Sequence, residues 1–344
     1  MPLTDIDAQR LGDSVADKLG ERNLIINGAI NVAQRGTSST DEGYKTVDRF
    51  FIQRSGGTVT HTQTAITSGS PYDEGFRNVL RLTNTATDTG VNGHRNAFQY
   101  IEAQNLAQSG WNYTSSSSYV TLSFWVRSSV AQEFFGYLRT FDGTEQGYSF
   151  STGTLSANTW TKVTKTIPGN SNITINNDSG AGLQVNISPF WGTNYTDSGN
   201  TTESWAAFNS GSRTPNYTNT WANTAGATFD ITGVQLEVGN TATPFEHRSF
   251  SYELAKCQRY FTKMGTVTQY APGYSSNARG AGGYIVFPTQ MRAQPSVDLS
   301  SITYSNGNSL TAQSRTIHGF AANYVAAADN TTSVTFTYEA EAEL

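Results

Sequence analysis

The sharpest pattern in the chain runs from Phe229 to Phe261, FDITGVQLEVGNTATPFEHRSFSYELAKCQRYF. Ile231, Val234, Leu236 and Val238 are apolar, whereas Gln235 and Glu237 are polar. Side chains alternate across a sheet, so this stretch reads as a strand with one buried face. Asp230 and Gly239 bracket it as turn residues. Asn240 to Pro244 is a short polar connector, and from Ser249 the period turns helical, with Phe250, Leu254, Cys257 and Phe261 on one stripe. The spacing predicts a linking helix over 249–263 that buries this stripe and joins two β-domains.

Upstream, Thr4 to Glu21 reads as a helix, with Thr4 as N-cap, Gly20 as stop, and Ala8, Leu11, Val15 and Leu19 on one face. Strands are expected at Leu24–Ile26, around Val47–Ile52, and at Gly57–Thr64, Asn78–Asn84 and Ala97–Glu102, with Asn27-Gly28 as a turn. The clearest strand is Tyr119–Ser128, YVTLSFWVRS, with Val120, Leu122, Phe124 and Val126 on one face and Tyr119, Thr121, Ser123, Trp125 and Arg127 on the other. Glu133–Thr140, EFFGYLRT, repeats the alternation, with Phe135, Tyr137 and Arg139 sharing a face, and is expected to lie beside it. Trp160–Ile167 and Gly182–Ser188 add two strands. Pro189 to Asn223 is a long polar insertion carrying Trp191, Tyr195, Trp205, Phe208, Tyr217 and Trp221. Long insertions of this kind are more often functional than ordinary loops. After the helix, short alternating runs such as Val334, Phe336 and Tyr338 predict a small antiparallel domain.

Composition supports a mostly β chain. Of 344 residues, 36% are hydrophobic and only 14% charged, about half the usual charged share. Ser, Thr, Asn and Gly runs such as TNTATDTG fill the difference, and an aromatic content of 12% excludes a disordered polar tract. A net charge of −5 leaves no basic stripe to replace phosphate counterions, which excludes a nucleic-acid binder. The single cysteine, Cys257, has no internal disulfide partner and is expected to pack as a small hydrophobe. The first 30 residues show neither a basic segment nor a long apolar run, so neither a leader nor membrane insertion is expected.

Three stretches together carry a resemblance: GVQLEVGNTATPFEHRSFSYELAKCQRYF (Gly233–Phe261), NLIINGAINVAQRG with VDRF (Asn23–Gly36, Val47–Phe50), and FPTQMRAQP (Phe287–Pro295). They resemble segments recurrent in tail fibres and other virion structural proteins of tailed bacteriophages. The resemblance implies a carbohydrate-binding-module-like jelly-roll β-sandwich over 23–248, the linking helix, and a C-terminal antiparallel β-domain over 264–344. Residues 1–22 would then be a helical virion-attachment segment. It further implies a homotrimeric fibre or spike, located in the virion after assembly in the host cytoplasm, that contacts a host surface glycan or other receptor; a capsid-attached decoration protein is the alternative. Such modules often open with NGxFE, whose acidic residue helps hold a structural calcium. Ile30 and Asn31 occupy the last two positions here, so the carboxylate is missing and calcium would have only Asp and Asn oxygens.

No catalytic or metal motif stands out. His61, His94, His247 and His318 are widely separated and lack partners at metal-ligand spacing. No nucleophile elbow, phosphate loop or dinucleotide fingerprint occurs. Carboxylate pairs that could serve a polysaccharide depolymerase are Asp41 with Glu42, Asp73 with Glu74, and Glu237 with Glu246. Adjacent acids in loops are usually solvated, and the expectation is a protein that is not an enzyme and needs no cofactor. Binding fits the residues better, because sugar sites combine a flat aromatic platform with amide, carboxylate or guanidinium groups. If the polar face of YVTLSFWVRS is the concave face of the jelly roll, Trp125, Arg127, Tyr137, Arg139, Gln235 and Glu237 line one groove.

Overall fold

The computed structural model describes residues 21–271, 279–326 and 331–344. The helix expected over 4–21 lies outside these residues, apart from Glu21. The chain first builds a sandwich of two six-stranded antiparallel sheets. Sheet I has the order β1 (Ser38–Ser39), β3 (Thr58–Ala65), β4 (Asn78–Ala86), β12 (Thr228–Val238), β6 (Tyr119–Ser128), β9 (Thr161–Pro168). Sheet II has the order β11 (Trp205–Ala207), β8 (Gln146–Leu155), β7 (Gln132–Thr140), β10 (Ala181–Trp191), β5 (His94–Glu102), β2 (Phe51–Ser55). The chain crosses repeatedly between the sheets, as in a jelly roll. Short helices α1 (Ser70–Asp73) and α2 (Ala103–Ala107) sit on the connections.

The core is made by alternation. Val120, Leu122, Phe124 and Val126 of β6 and Phe229, Ile231, Val234 and Leu236 of β12 face Phe134, Leu138, Phe150, Val185 and Ile187 of sheet II. At ~25 cal/mol per Å², each fully buried side chain of this size contributes about 1.5–3 kcal/mol. Two expectations are corrected. Leu24–Ile26 is irregular and makes no regular ladder: the Leu24 amide bonds the Leu236 carbonyl of β12 at 2.8 Å, while the Ile25 and Ile26 amides bond the Asn23 and Gln99 side chains. β7 is not a neighbour of β6: β6 pairs with β12 and β9, and β7 pairs with β8 and β10. Residues 129–131 carry the chain to the other sheet instead of making a hairpin. β8 had no clear sequence signal, because QGYSFSTGTL offers few apolar alternations and two glycines.

α3 (Phe250–Gln258) is N-capped by the Ser249 hydroxyl, which accepts from the Tyr252 amide at 3.4 Å. Its buried side matches the predicted stripe in part. Cys257 is fully buried and Leu254 packs half-buried beside it, Phe261 is buried but already belongs to the next strand, Phe250 is 59% exposed, and Glu253 and Tyr260 also face inward. For Glu253 the reason is polar: its carboxylate accepts from the Asn27 amide and sits 3.7 Å from Arg248. Beyond α3 come two three-stranded sheets, β13 (Phe261–Ala271), β18 (Thr332–Glu341), β15 (Ser296–Ser305) and β14 (Arg279–Val286), β17 (Gly319–Ala326), β16 (Gly307–Thr316). They enclose a second core of Phe287, Met291, Phe320, Tyr324, Phe336 and Tyr338.

Buried charges lock the two units together. Arg49, fully buried, pairs with Glu343, stacks 3.4 Å from the Tyr260 ring centroid and donates to the Tyr100 carbonyl at 2.8 Å. Glu102, also fully buried, takes two bonds of 2.9 Å from Arg259 and one from the Tyr260 hydroxyl. Burial pushes the Glu102 carboxyl up, but Arg259 and Tyr260 outweigh it and hold it below its ordinary value. Arg292 donates to the Ala342, Glu343 and Ser179 carbonyls at 2.9, 2.9 and 2.6 Å.

Candidate functional site

The six residues expected to share a groove do not share one. Trp125, Arg127, Gln235 and Glu237 lie on the outer face of sheet I, and Tyr137 and Arg139 on the outer face of sheet II, on opposite sides of the sandwich. The expectation failed with the assumption that β6 and β7 are neighbours. Gln235 and Glu237 are also occupied. Glu237, 1% exposed, accepts from the Thr243 amide and hydroxyl and pairs with Arg22 at 3.1 Å, not with Arg127 or Arg139. Gln235 donates to Glu237 at 2.9 Å and accepts from the Glu246 amide at 2.8 Å. These groups hold the 240–246 connector on the sheet. Trp125 donates to Glu74 at 3.0 Å beneath a cluster of Phe76, Val79 and Ile66.

The outer face of sheet II gathers the better binding chemistry. Register places Phe51, Phe98, Asn186, Tyr137 and Ser149 in one row, and Tyr100, Gln184, Arg139 and Gly147 in the next. An aromatic run crosses these rows: Phe51 stacks on Phe98 at 4.9 Å, Phe98 meets Tyr100 edge-on at 5.1 Å, and Tyr100 meets Phe141 at 5.3 Å. Phe51, Tyr100 and Phe141 stay half-buried. Arg139 is held by a fork of bonds to Glu145 and lies 4.7 Å from the Phe141 ring and 4.1 Å from that of Phe208. Beside it the buried Gln184 leaves its Oε1 without a hydrogen-bond partner, an acceptor whose desolvation is uncompensated by the protein.

The 189–223 insertion folds over the Tyr137 end of this face. Tyr217 donates to the Phe135 and Ser188 carbonyls at 3.0 and 3.2 Å, and Trp191 is buried against His94 and Tyr195. Trp221 is fully buried in the main core, and Trp205 is half-buried, so the tryptophans anchor the insertion rather than face outward. Between insertion and sheet lies a cavity of about 390 Å³ lined by Tyr137, Ser149, Asp197, Asn200, Phe208 and Arg213. Burial pushes the Tyr137 hydroxyl up to about 12, so it stays a neutral donor and acceptor at ordinary pH. Sequence reading placed Phe208 in the insertion but missed Phe51, Tyr100, Gln184 and Arg213. β5 and β10 are buried on both faces, so the polarity alternation that marks an outward residue is absent.

A larger cavity, about 610 Å³, lies beside α3 and is lined by Glu21, which directly follows residues 1–20; no site is assigned to it. The carboxylate pairs are dispersed among partners: Glu74 binds Trp125 and Lys162, and Glu246 accepts from the Asn23 amide and Arg248. Among the described residues no three His, Cys, Asp or Glu side chains converge as a metal site, and no helix is long and apolar enough to cross a membrane.

Neither a protein-family model nor a curated protein matches the chain. Among solved structures it is similar to the enzymatically active domain of tailspike protein 4 from bacteriophage CBA120, at 13% identity and a TM-score of 0.34 over 63% of this chain. The match spans 22% of that chain's own length. It is also similar to the N-terminal cellulose-binding domain of Cellulomonas fimi beta-1,4-glucanase C, at 9% identity and TM-score 0.31, covering 62% of this chain and 99% of that one. A family 11 carbohydrate-binding module from Clostridium thermocellum, in complex with a mixed-linked tetrasaccharide, gives 11% identity and TM-score 0.28 over 58% of this chain and 95% of that one. Similarities at this level carry no functional argument.

Proposed function

We propose that the chain is a non-enzymatic structural protein of a tailed-phage virion, a tail fibre or spike whose sandwich holds host-surface glycan on the outer face of sheet II. The observation that carries the virion reading is convergence. Each stretch resembling phage fibre proteins contributes to one buried joint: Asn27 meets Glu253 and Arg49 meets Tyr260, while Arg259 and Arg292 bond Glu102 and the C-terminal backbone, which lie outside those stretches. The resemblance therefore marks an architecture, sandwich locked to C-terminal domain, rather than scattered similarity. Glycan adhesion is supported by the half-buried aromatic run with Arg139 and the unpaired Gln184 oxygen, a combination suited to sugar rings and hydroxyls. Exposed Met264, Tyr270, Tyr284 and Val286 on the C-terminal domain, the last 67% exposed, offer apolar surface for association with further copies; the homotrimer itself is what the resemblance implies.

The test is cryo-electron microscopy of the intact particle together with sedimentation of the purified chain on host cells. Trimeric density on the tail, and cell binding lost on Tyr100→Ala or Arg139→Ala with the folding transition intact, is the expected result. Density on the capsid shell would discard the fibre assignment in favour of a decoration protein. Release of reducing ends from the host glycan would overturn the non-enzymatic reading.

A further inference from the structure

The opposite face of the sandwich carries a second constellation that glycan adhesion on sheet II does not use. On the outer side of sheet I, register aligns Thr62 of β3, Arg81 of β4, Asp230 of β12 and Arg127 of β6 in a single row. Asp230 is fully buried at its centre. Arg81 donates from Nε at 2.7 Å and Nη2 at 2.9 Å; Arg127 donates from Nε at 3.2 Å and Nη2 at 2.7 Å. Arg81 thus bridges both oxygens of one carboxylate and Arg127 holds its Oδ2, which orients both guanidinium groups, while each side chain remains 28% exposed.

The charge on this row does not cancel. Two guanidiniums face one carboxylate, and Glu74, tied to this face through Trp125, is already engaged by Lys162. Among the described residues neither Arg81 Nη1 nor Arg127 Nη1 has a hydrogen-bond partner. Arg127 also lies 4.6 Å from the ring centroid of the half-buried Trp160, and half-buried Thr60, Thr62, Thr64 and Thr83 provide hydroxyls across the same face. A planar, pre-oriented pair of guanidiniums with outward donors matches the geometry of an incoming carboxylate, and prior fixation by Asp230 removes most of the ordering cost.

We infer that Arg81, Arg127 and Trp160 form a second, anionic-sugar subsite on sheet I, which takes the carboxylate of a uronic acid residue while the threonine hydroxyls meet its ring substituents. The subsite is independent of the sheet II face and gives the sandwich two binding surfaces of different charge preference.

The test titrates the full chain with a hexuronate tetrasaccharide, a neutral glucan tetrasaccharide and inorganic sulfate, reading the Arg side-chain Nε–H resonances by NMR and affinity by calorimetry. Expected are shifts of the Arg81 and Arg127 resonances with the uronate alone, and at least a tenfold loss of uronate affinity in Arg127→Lys and in Arg81→Lys, measured well below the melting temperature of each variant. Arg139→Ala, on the other face, should leave uronate binding intact. The unmodified-protein resonances decide the matter even if a substitution unfolds the chain. No shift at tens of millimolar uronate, equal shifts with sulfate, or uronate binding lost in Arg139→Ala instead would each overturn the proposal.

Discussion

Asp48 shows how far one buried carboxyl can set the acid response. It is 1% exposed, and Gln34 donates to it from both amide and side chain. Burial outweighs those bonds and lifts its pKa to about 6 from 3.8. Between these values the folded chain keeps a proton that the unfolded chain releases. Stability from this group is therefore full below about pH 4 and is lost as pH rises through 6, a change of roughly 3 kcal/mol for about two units at ~1.4 kcal/mol each. Asp48→Asn is uncharged throughout, so its thermal midpoint relative to the parent should climb between pH 4 and pH 7. A difference that stays flat with pH would refute the assignment. None of this was visible in the VDRF stretch, where Asp48 and Arg49 look like polar interruptions; their burial follows from residues elsewhere in the chain, Gln34 bonded to Asp48, and Tyr260 and Glu343 closing on Arg49.

At the scale of the element, β12 explains why simple alternation nearly described this strand. Ile231 and Val234 are three residues apart, and a two-residue alternation would put them on opposite faces. A bulge between Thr232 and Gln235 restores both to the core, and Gly233 makes it with a φ of +63°. A Cβ there would come within 2.7 Å of the Phe76 ring. Gly233→Ala should thus cost roughly 2–5 kcal/mol, combining ~1–2 for left-handed backbone with ~1–3 for displacing Phe76. Urea denaturation at constant m would measure it, and a loss below about 0.5 kcal/mol would show that the bulge can relax. The helix was legible in its start at Ser249 and in the burial of Cys257, but the inward turn of Glu253 was not, because this carboxylate serves buried donors that come from residues 27 and 248.

Over the whole molecule, the joint decides whether sandwich and C-terminal domain unfold together. Removing one partner of a buried pair leaves an uncompensated charge, at about 3–5 kcal/mol. Glu343 is the carboxylate that neutralises both Arg49 and Arg35, the latter at 3.2 Å. Glu343→Gln should split a single calorimetric transition into two, with the C-terminal domain melting first; one unsplit transition at the parent temperature would show that apolar packing alone couples the units. The sequence by itself determined the β class, most strands and where the linking helix begins, because period and turn chemistry act over a few neighbours. Which strands are adjacent, which outer face each polar side chain occupies, and which of those side chains are already spoken for were decided only by the tertiary structure. A three-residue connection can turn back as a hairpin or cross to the other sheet, and that choice, made by packing the whole sandwich, moved Tyr137 and Arg139 to the side opposite Trp125 and Arg127.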